Sequence, residues 1–145
     1  MSIFKIVLGL GGFVLFGAAF APFEYLAAPT WHVLVVDSSG TPLSGVYVRR
    51  AHQNYSVEDE GHDTNAFSGG DGRVTLQSVK SQASGFRFLW FTLKSLRQGF
   101  HASFGRFAYV SAFSREMEGF QREGPWKGDL SEMNTTLRMR RRAVP

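Results

Sequence analysis

An unbroken run of 18 residues without a charge, Ile6 to Phe23, constrains this chain of 145 residues more than any other feature. As a helix with a rise of about 1.5 Å per residue it would extend over roughly 27 Å, close to the hydrocarbon thickness of a bilayer. A helix in the core of a small soluble domain would carry polar residues every few positions, and this run carries none. The run therefore predicts a transmembrane or signal helix within an N-terminal segment of residues 1–28.

Two interpretations of this run stay open, because a retained anchor and a cleaved signal peptide share a basic head and an apolar core. Cleavage after Ala19 would release a secreted soluble domain. The run is longer than the roughly 7–15 residues usual for a signal core, which favours the anchor. Lys5 is the one cation before the run, and no Lys or Arg occurs from Glu24 to Val48. The positive-inside rule then predicts a cytoplasmic N-terminus and a periplasmic or extracellular body.

Residues 29–145 alternate short runs rich in β-branched residues with turns, which predicts strands at 31–37, 45–53, 64–68, 73–79, 106–113 and 134–140. Gly69-Gly-Asp-Gly72 is a strong turn signal, since glycine permits positive φ. In the second strand, Val46, Val48 and Ala51 mark the expected buried face. The pattern predicts a mainly β fold, a small antiparallel β-sandwich of about seven strands. The expected core comprises Val33, Val35, Val46, Val48, Val74, Leu76, Val110 and Leu137.

Several of these segments resemble a known family. The stretch from Val33 to Val48, with its Asp, Gly and Pro-Leu turn between two strands, is similar to the opening of carboxypeptidase regulatory-like domains. Residues 64–76, Tyr109 to Phe113 followed by a Gly119-Phe120 turn, and 135–139 resemble later parts of the same pattern, in the same order. The resemblance implies a prealbumin-like (transthyretin-like) sandwich without a common active site. It carries no peptidase activity, and the motifs of hydroxyisourate hydrolases and intradiol dioxygenases are not present in the sequence.

The chain departs from that family by an insertion near 80–105. Apolar residues at 86, 89, 90, 93 and 96 recur at the spacing of one helical face, which favours a helix, although the Phe and Trp content keeps a strand interpretation open. Seven cations and no acid occur between Gly72 and Arg115. Either the helix covers an edge of the sandwich and completes its core, or it lies on an anionic membrane surface through Phe86, Trp90, Lys94 and Arg97.

Little in the sequence points to catalysis. No cysteine is available for a nucleophile, disulfide or thiolate ligand, and no nucleophile elbow or phosphate loop is present. His52, Glu58, His62 and Asp63 leave one enzymatic alternative open, a carboxylate and histidine site in the loop at 52–63. The terminal Arg138-Met-Arg-Arg-Arg is not taken as a nucleic-acid site, because a body outside the cytoplasm would not meet nucleic acid. We therefore expect no cofactor, and a noncatalytic, membrane-tethered module for binding or scaffolding an unknown protein or cell-envelope partner.

Overall fold

The computed structural model describes residues 11–13, 16–17, 19–97, 103–121 and 124–141. The body contains the following strands and helix: β1 (Pro22–Ala28), β2 (Thr30–Val36), β3 (Tyr47–Asn54), β4 (His62–Phe67), β5 (Arg73–Leu76), β6 (Val79–Ser84), α1 (Gly85–Leu96), β7 (Arg106–Phe113), β8 (Met117–Phe120), β9 (Glu132–Arg138) and β10 (Arg140–Arg141). The predicted fold class is confirmed: the chain is mainly β and forms a small sandwich with one inserted helix.

Two sheets form the body of the sandwich. One has five strands in the order β10-β8-β7-β3-β4, and the other has three in the order β5-β2-β9. The strands β1 and β6 pair separately as a two-stranded antiparallel sheet. Among the described pairings, β2 with β9 is parallel and the rest are antiparallel, so the sandwich is mixed rather than purely antiparallel.

The core lies between the five-stranded and the three-stranded sheets. All eight residues predicted to form it are buried, in one cluster with Trp31, Trp126 and small residues of β7. Trp31 Nε1 donates to Thr135 Oγ1 at 2.9 Å, which satisfies a buried polar group on each of two neighbouring strands. The prediction for Ala51 is wrong, because β3 keeps strict alternation and turns Arg50, not Ala51, toward the inside.

Eight of the 18 residues of the predicted membrane segment, Ile6 to Phe23, lie outside the described residues, namely 6–10, 14–15 and 18. Its described positions 11–13, 16–17 and 19–20 are helical, whereas Pro22 and Phe23 already belong to β1. Proline ends the helix here because it has no backbone N–H and its ring clashes with the preceding turn. The N-terminal segment of residues 1–28 therefore closes with a strand. None of the helices in the described ranges is long and apolar enough to cross a bilayer.

The insertion near 80–105 begins as a strand and continues as the predicted helix. The strand β6 pairs with β1, from Pro22 opposite Ser84 to Ala28 opposite Val79. The helix α1 starts directly after it, with Ser84 Oγ accepting from the N–H of Arg87 at 3.2 Å as an N-cap. The expected turn at Gly119-Phe120 is wrong, since both residues lie in β8 and pair with β7.

Candidate interaction surfaces

The helix α1 turns its apolar side away from the body. Phe91 and Ser95 are its buried residues, whereas the side chains at the five predicted positions, Phe86, Leu89, Trp90, Leu93 and Leu96, are each exposed by half or more. The prediction that these five residues share one side of a helix is thus confirmed. The interpretation that its Phe and Trp complete the core holds for Phe91 and is wrong for Phe86, Phe88 and Trp90, which are exposed.

Of the four residues predicted for membrane contact, Lys94 lines the same surface as Trp90 and Arg97 but also contacts the body. Its Nζ pairs with the carboxylate of Asp59 in the loop after β3. Arg87, on the same side of the helix, donates through Nε to the carbonyl of Val57 at 2.6 Å. Phe86, Trp90 and Arg97 are exposed. Arg87 and Lys94 therefore contact the body from the border of the apolar side of α1, whereas Arg97 lies on that side.

A second exposed apolar surface, here called the aromatic face, covers the outward side of the five-stranded sheet. Phe67, Phe120 and Tyr109 on it are 66%, 53% and 38% exposed. Tyr47 lies between Phe67 and Phe113 on the two neighbouring strands, and Ser111, which pairs with Arg49 and Phe120, is buried. The full set is Tyr47, Phe67, Phe107, Tyr109, Phe113 and Phe120. The rings contact one another in pairs, with centroids 5.6–5.8 Å apart.

The sequence did carry a signal for the aromatic face. In β7, Phe107, Tyr109 and Phe113 alternate with small buried residues, so both sides of that strand are apolar. A strand with one side facing solvent would carry polar residues on that side. Within this surface Arg49 pairs with Asp63, and this contact raises the pKa of Arg49. Both partners are exposed, so the pair contributes little to stability.

Of the four candidate side chains in the loop at 52–63, the two carboxylates have separate partners and the two histidines lie side by side. Asp63 lies on the outward surface with Arg49, whereas Glu58 accepts hydrogen bonds from the Tyr25 hydroxyl and from the N–H of Asn54. The rings of His52 and His62 lie 5.7 Å apart across the β3–β4 pair. Among the described residues, no three His, Asp or Glu side chains converge as a metal site.

The surroundings of His52 predict that the stability of the sandwich depends on pH. The His52 side chain is buried, which lowers the pKa, and the charges of Arg50 and His62 lower it further, whereas Glu58 and Asp63 oppose the shift. The folded state therefore binds this proton less readily than the unfolded chain. We expect stability to be retained above about pH 6.5 and to fall as the pH drops below it toward the folded pKa, with a slope of up to about 1.4 kcal/mol per pH unit.

Urea unfolding of the full chain in one detergent, followed at several pH values, measures this slope. In His52→Gln the contribution of His52 disappears, so the free energy of unfolding should depend less on pH below 6.5. His32→Gln is the matched control, because His32 is exposed on the other sheet. An equal slope in wild type and His52→Gln would contradict the assignment.

Comparison with known proteins assigns no family. No protein-family model matches the chain, and no curated protein matches it significantly. Among solved structures it is similar to a 3-chlorocatechol 1,2-dioxygenase from Rhodococcus opacus 1CP, with 12% identity and a TM-score of 0.42. The match covers 80% of this chain and 60% of the dioxygenase chain. A likeness this distant carries no inference about activity.

Proposed function

We propose that this protein is a noncatalytic β-sandwich module, tethered to a membrane by its N-terminal segment, which binds or scaffolds a partner outside the cytoplasm. We also propose that the sandwich is a carboxypeptidase regulatory-like domain. The observation that carries the binding role is the aromatic face. The tether rests on the charge-free run from Ile6 to Phe23, and the orientation rests on Lys5.

The aromatic face is better suited to a partner than to water. Soluble monomers rarely expose contiguous apolar patches beyond a few hundred Å². Aromatic side chains are enriched at interfaces, because each provides a large contact area and has few torsions to immobilise. The Arg49–Asp63 pair offers a polar contact within the same surface. The three-stranded sheet provides the contrast, since its outward side carries polar residues such as Thr75, Asn134 and Thr136.

A site-specific crosslinking experiment tests the proposal. A photoreactive residue is placed at Phe67 or Phe120 of the full chain, in cells that express it natively, and membranes are separated after irradiation. We expect full-length protein in the membrane fraction, a body open to protease from the outer side, and a discrete crosslinked product. The same residue at Thr136, which is exposed on the opposite sheet, is the matched control and should give no such product.

Each part of the proposal can fail separately in this experiment. A soluble product shortened by the 19 residues up to Ala19 would establish the secreted alternative instead of the tether. Membrane-bound protein with equal or no crosslinking from Phe67, Phe120 and Thr136 would contradict the assignment of the aromatic face.

A further inference from the structure

The apolar side of α1 continues into the N-terminal segment. The ring of Phe20 stacks on that of Phe86, with centroids 5.3 Å apart and an interplanar angle of 14°. Phe16 in turn lies 4.8 Å from Phe20, and both are exposed. A Cβ atom on Gly85 would lie 3.4 Å from the carbonyl oxygen of Ala19, at van der Waals distance, so the two segments adjoin. Phe16, Phe20 and the apolar side of α1 therefore form one surface.

Contacts between α1 and the rest of the body fix the orientation of this surface. Phe91 and Ser95 are buried, Arg87 donates to the carbonyl of Val57, and Lys94 pairs with Asp59. Phe91 and Ser95 lie on the side of the helix away from Leu89 and Leu93, and Arg87 and Lys94 lie at the border between the two sides. The exposed side is thus fixed in orientation rather than free to turn inward.

From this arrangement we infer that α1 is an interfacial helix, with Phe86, Leu89, Trp90 and Leu93 in the boundary between the headgroups and acyl chains of the bilayer. The inference rests on the proposed tether, because the charge-free run ends at Phe23, directly beside α1. A segment leaving the bilayer at this point brings the helix to the membrane plane. The sandwich is thereby held against the membrane by two adjoining contacts.

The positive charge near the apolar side of α1 favours an anionic lipid surface as its binding partner. Arg97 is exposed at the end of α1, on the same side as Trp90 and Leu93. No acidic residue occurs in the sequence from Gly72 to Arg115. Basic residues beside an aromatic and aliphatic side are the usual composition of helices that lie in the interface. Trp is well suited to this depth, because its ring is apolar and its N–H is polar.

Fluorescence quenching by brominated lipids tests this inference in the full chain. All three tryptophans lie in the described ranges, and Trp31 and Trp126 are at most 2% exposed, whereas Trp90 is 60% exposed. The protein is reconstituted into vesicles of equal parts phosphatidylcholine and phosphatidylglycerol, with bromine at different depths in the acyl chains. We expect loss of most of the Trp90 emission, strongest for bromine placed about 5–10 Å below the headgroups. Trp90→Phe gives the residual emission of the two buried tryptophans.

Variants with an added charge provide the second arm. Leu93→Glu should lift α1 from the bilayer and abolish the quenching, whereas Thr136→Glu carries the same charge on the opposite sheet and should leave it unchanged. An unaltered near-ultraviolet circular dichroism signal shows that each variant is folded.

The outcomes separate this inference from the tether. Protein that does not float with the vesicles would overturn the proposed tether. Protein that floats while Trp90 remains unquenched would overturn only the interfacial helix. Unquenched protein whose copies crosslink to one another through position 93 would show that a second copy covers this side of α1, and it would also overturn the inference.

Discussion

Replacing Arg50 with alanine is expected to lower the free energy of unfolding by about 3–4 kcal/mol, a large part of the stability of a domain of this size. Arg50 is fully buried on the inward side of β3. Its Nη1 donates to the carbonyl of Pro29 at 2.6 Å and to that of Gln77 at 2.8 Å, and Nη2 donates to Thr64 Oγ1 at 3.2 Å. The alanine variant would leave a cavity and buried carbonyls without a donor, each costing roughly 1–3 kcal/mol.

Two further variants separate the charge of Arg50 from its bulk. Within the described residues no carboxylate lies at ion-pair distance from Arg50, and burial lowers its pKa. Arg50→Met keeps most of the volume and removes the cost of burying a charge, so it should be less destabilising than Arg50→Ala. Thr64→Val removes only the acceptor of Nη2 and should cost about 1 kcal/mol.

Urea unfolding of the full chain in one detergent measures all three variants. A change below about 1 kcal/mol in Arg50→Ala would contradict the structural role assigned to the guanidinium.

The sandwich core could be predicted from the sequence because alternation along a strand reports directly which side is buried. Val33, Val35, Val74 and Leu76 were found in this way, and all are buried. The same alternation in β3 places residue 50 inside with Val46 and Val48. The alternation indicates that residue 50 is buried, but the residue is an arginine. Arginine is rarely buried without a carboxylate partner, so the residue type argued against burial. The backbone carbonyls that accept from Arg50 come from distant segments, which no local pattern contains.

The periodicity of α1 identified its apolar side but could not identify what lies against that side. An amphipathic pattern has the same spacing whether the apolar side packs on a sheet, on another chain or in a bilayer. The direction was set by contacts of other segments, namely Val57 with Arg87 and Asp59 with Lys94. The β1–β6 pair was missed for a similar reason. Neither β1 nor β6 shows a regular alternation of apolar and polar residues. Their strand conformation depends on pairing with each other, although the two segments are far apart in the sequence.

The turn predicted at Gly69-Gly-Asp-Gly72 is present, and its last glycine is expected to be intolerant of a side chain. Gly72→Ala is expected to lower the free energy of unfolding by about 3 kcal/mol. Gly72 has φ of +72°, where an L-residue is strained by roughly 1–2 kcal/mol. A Cβ atom there would also lie 2.7 Å from the carbonyl oxygen of Val35 and 2.8 Å from Pro42 Cβ. Relieving these contacts would displace the end of β2, because Val35 N–H donates to the carbonyl of Gly72 itself.

Two other glycines separate strain from steric overlap. Gly40 has φ of +96° but open space around the site of a Cβ atom, so Gly40→Ala should cost only the strain, about 1 kcal/mol. Gly70 has neither positive φ nor a close neighbour, so Gly70→Ala should change stability by less than about 0.5 kcal/mol. Urea unfolding of the three variants should therefore rank Gly72 well above Gly40, and Gly40 above Gly70. Equal losses of stability in Gly72→Ala and Gly40→Ala would contradict this prediction. They would mean that β2 and the loop at Pro42 move aside at little cost in free energy, so that steric overlap does not restrict position 72.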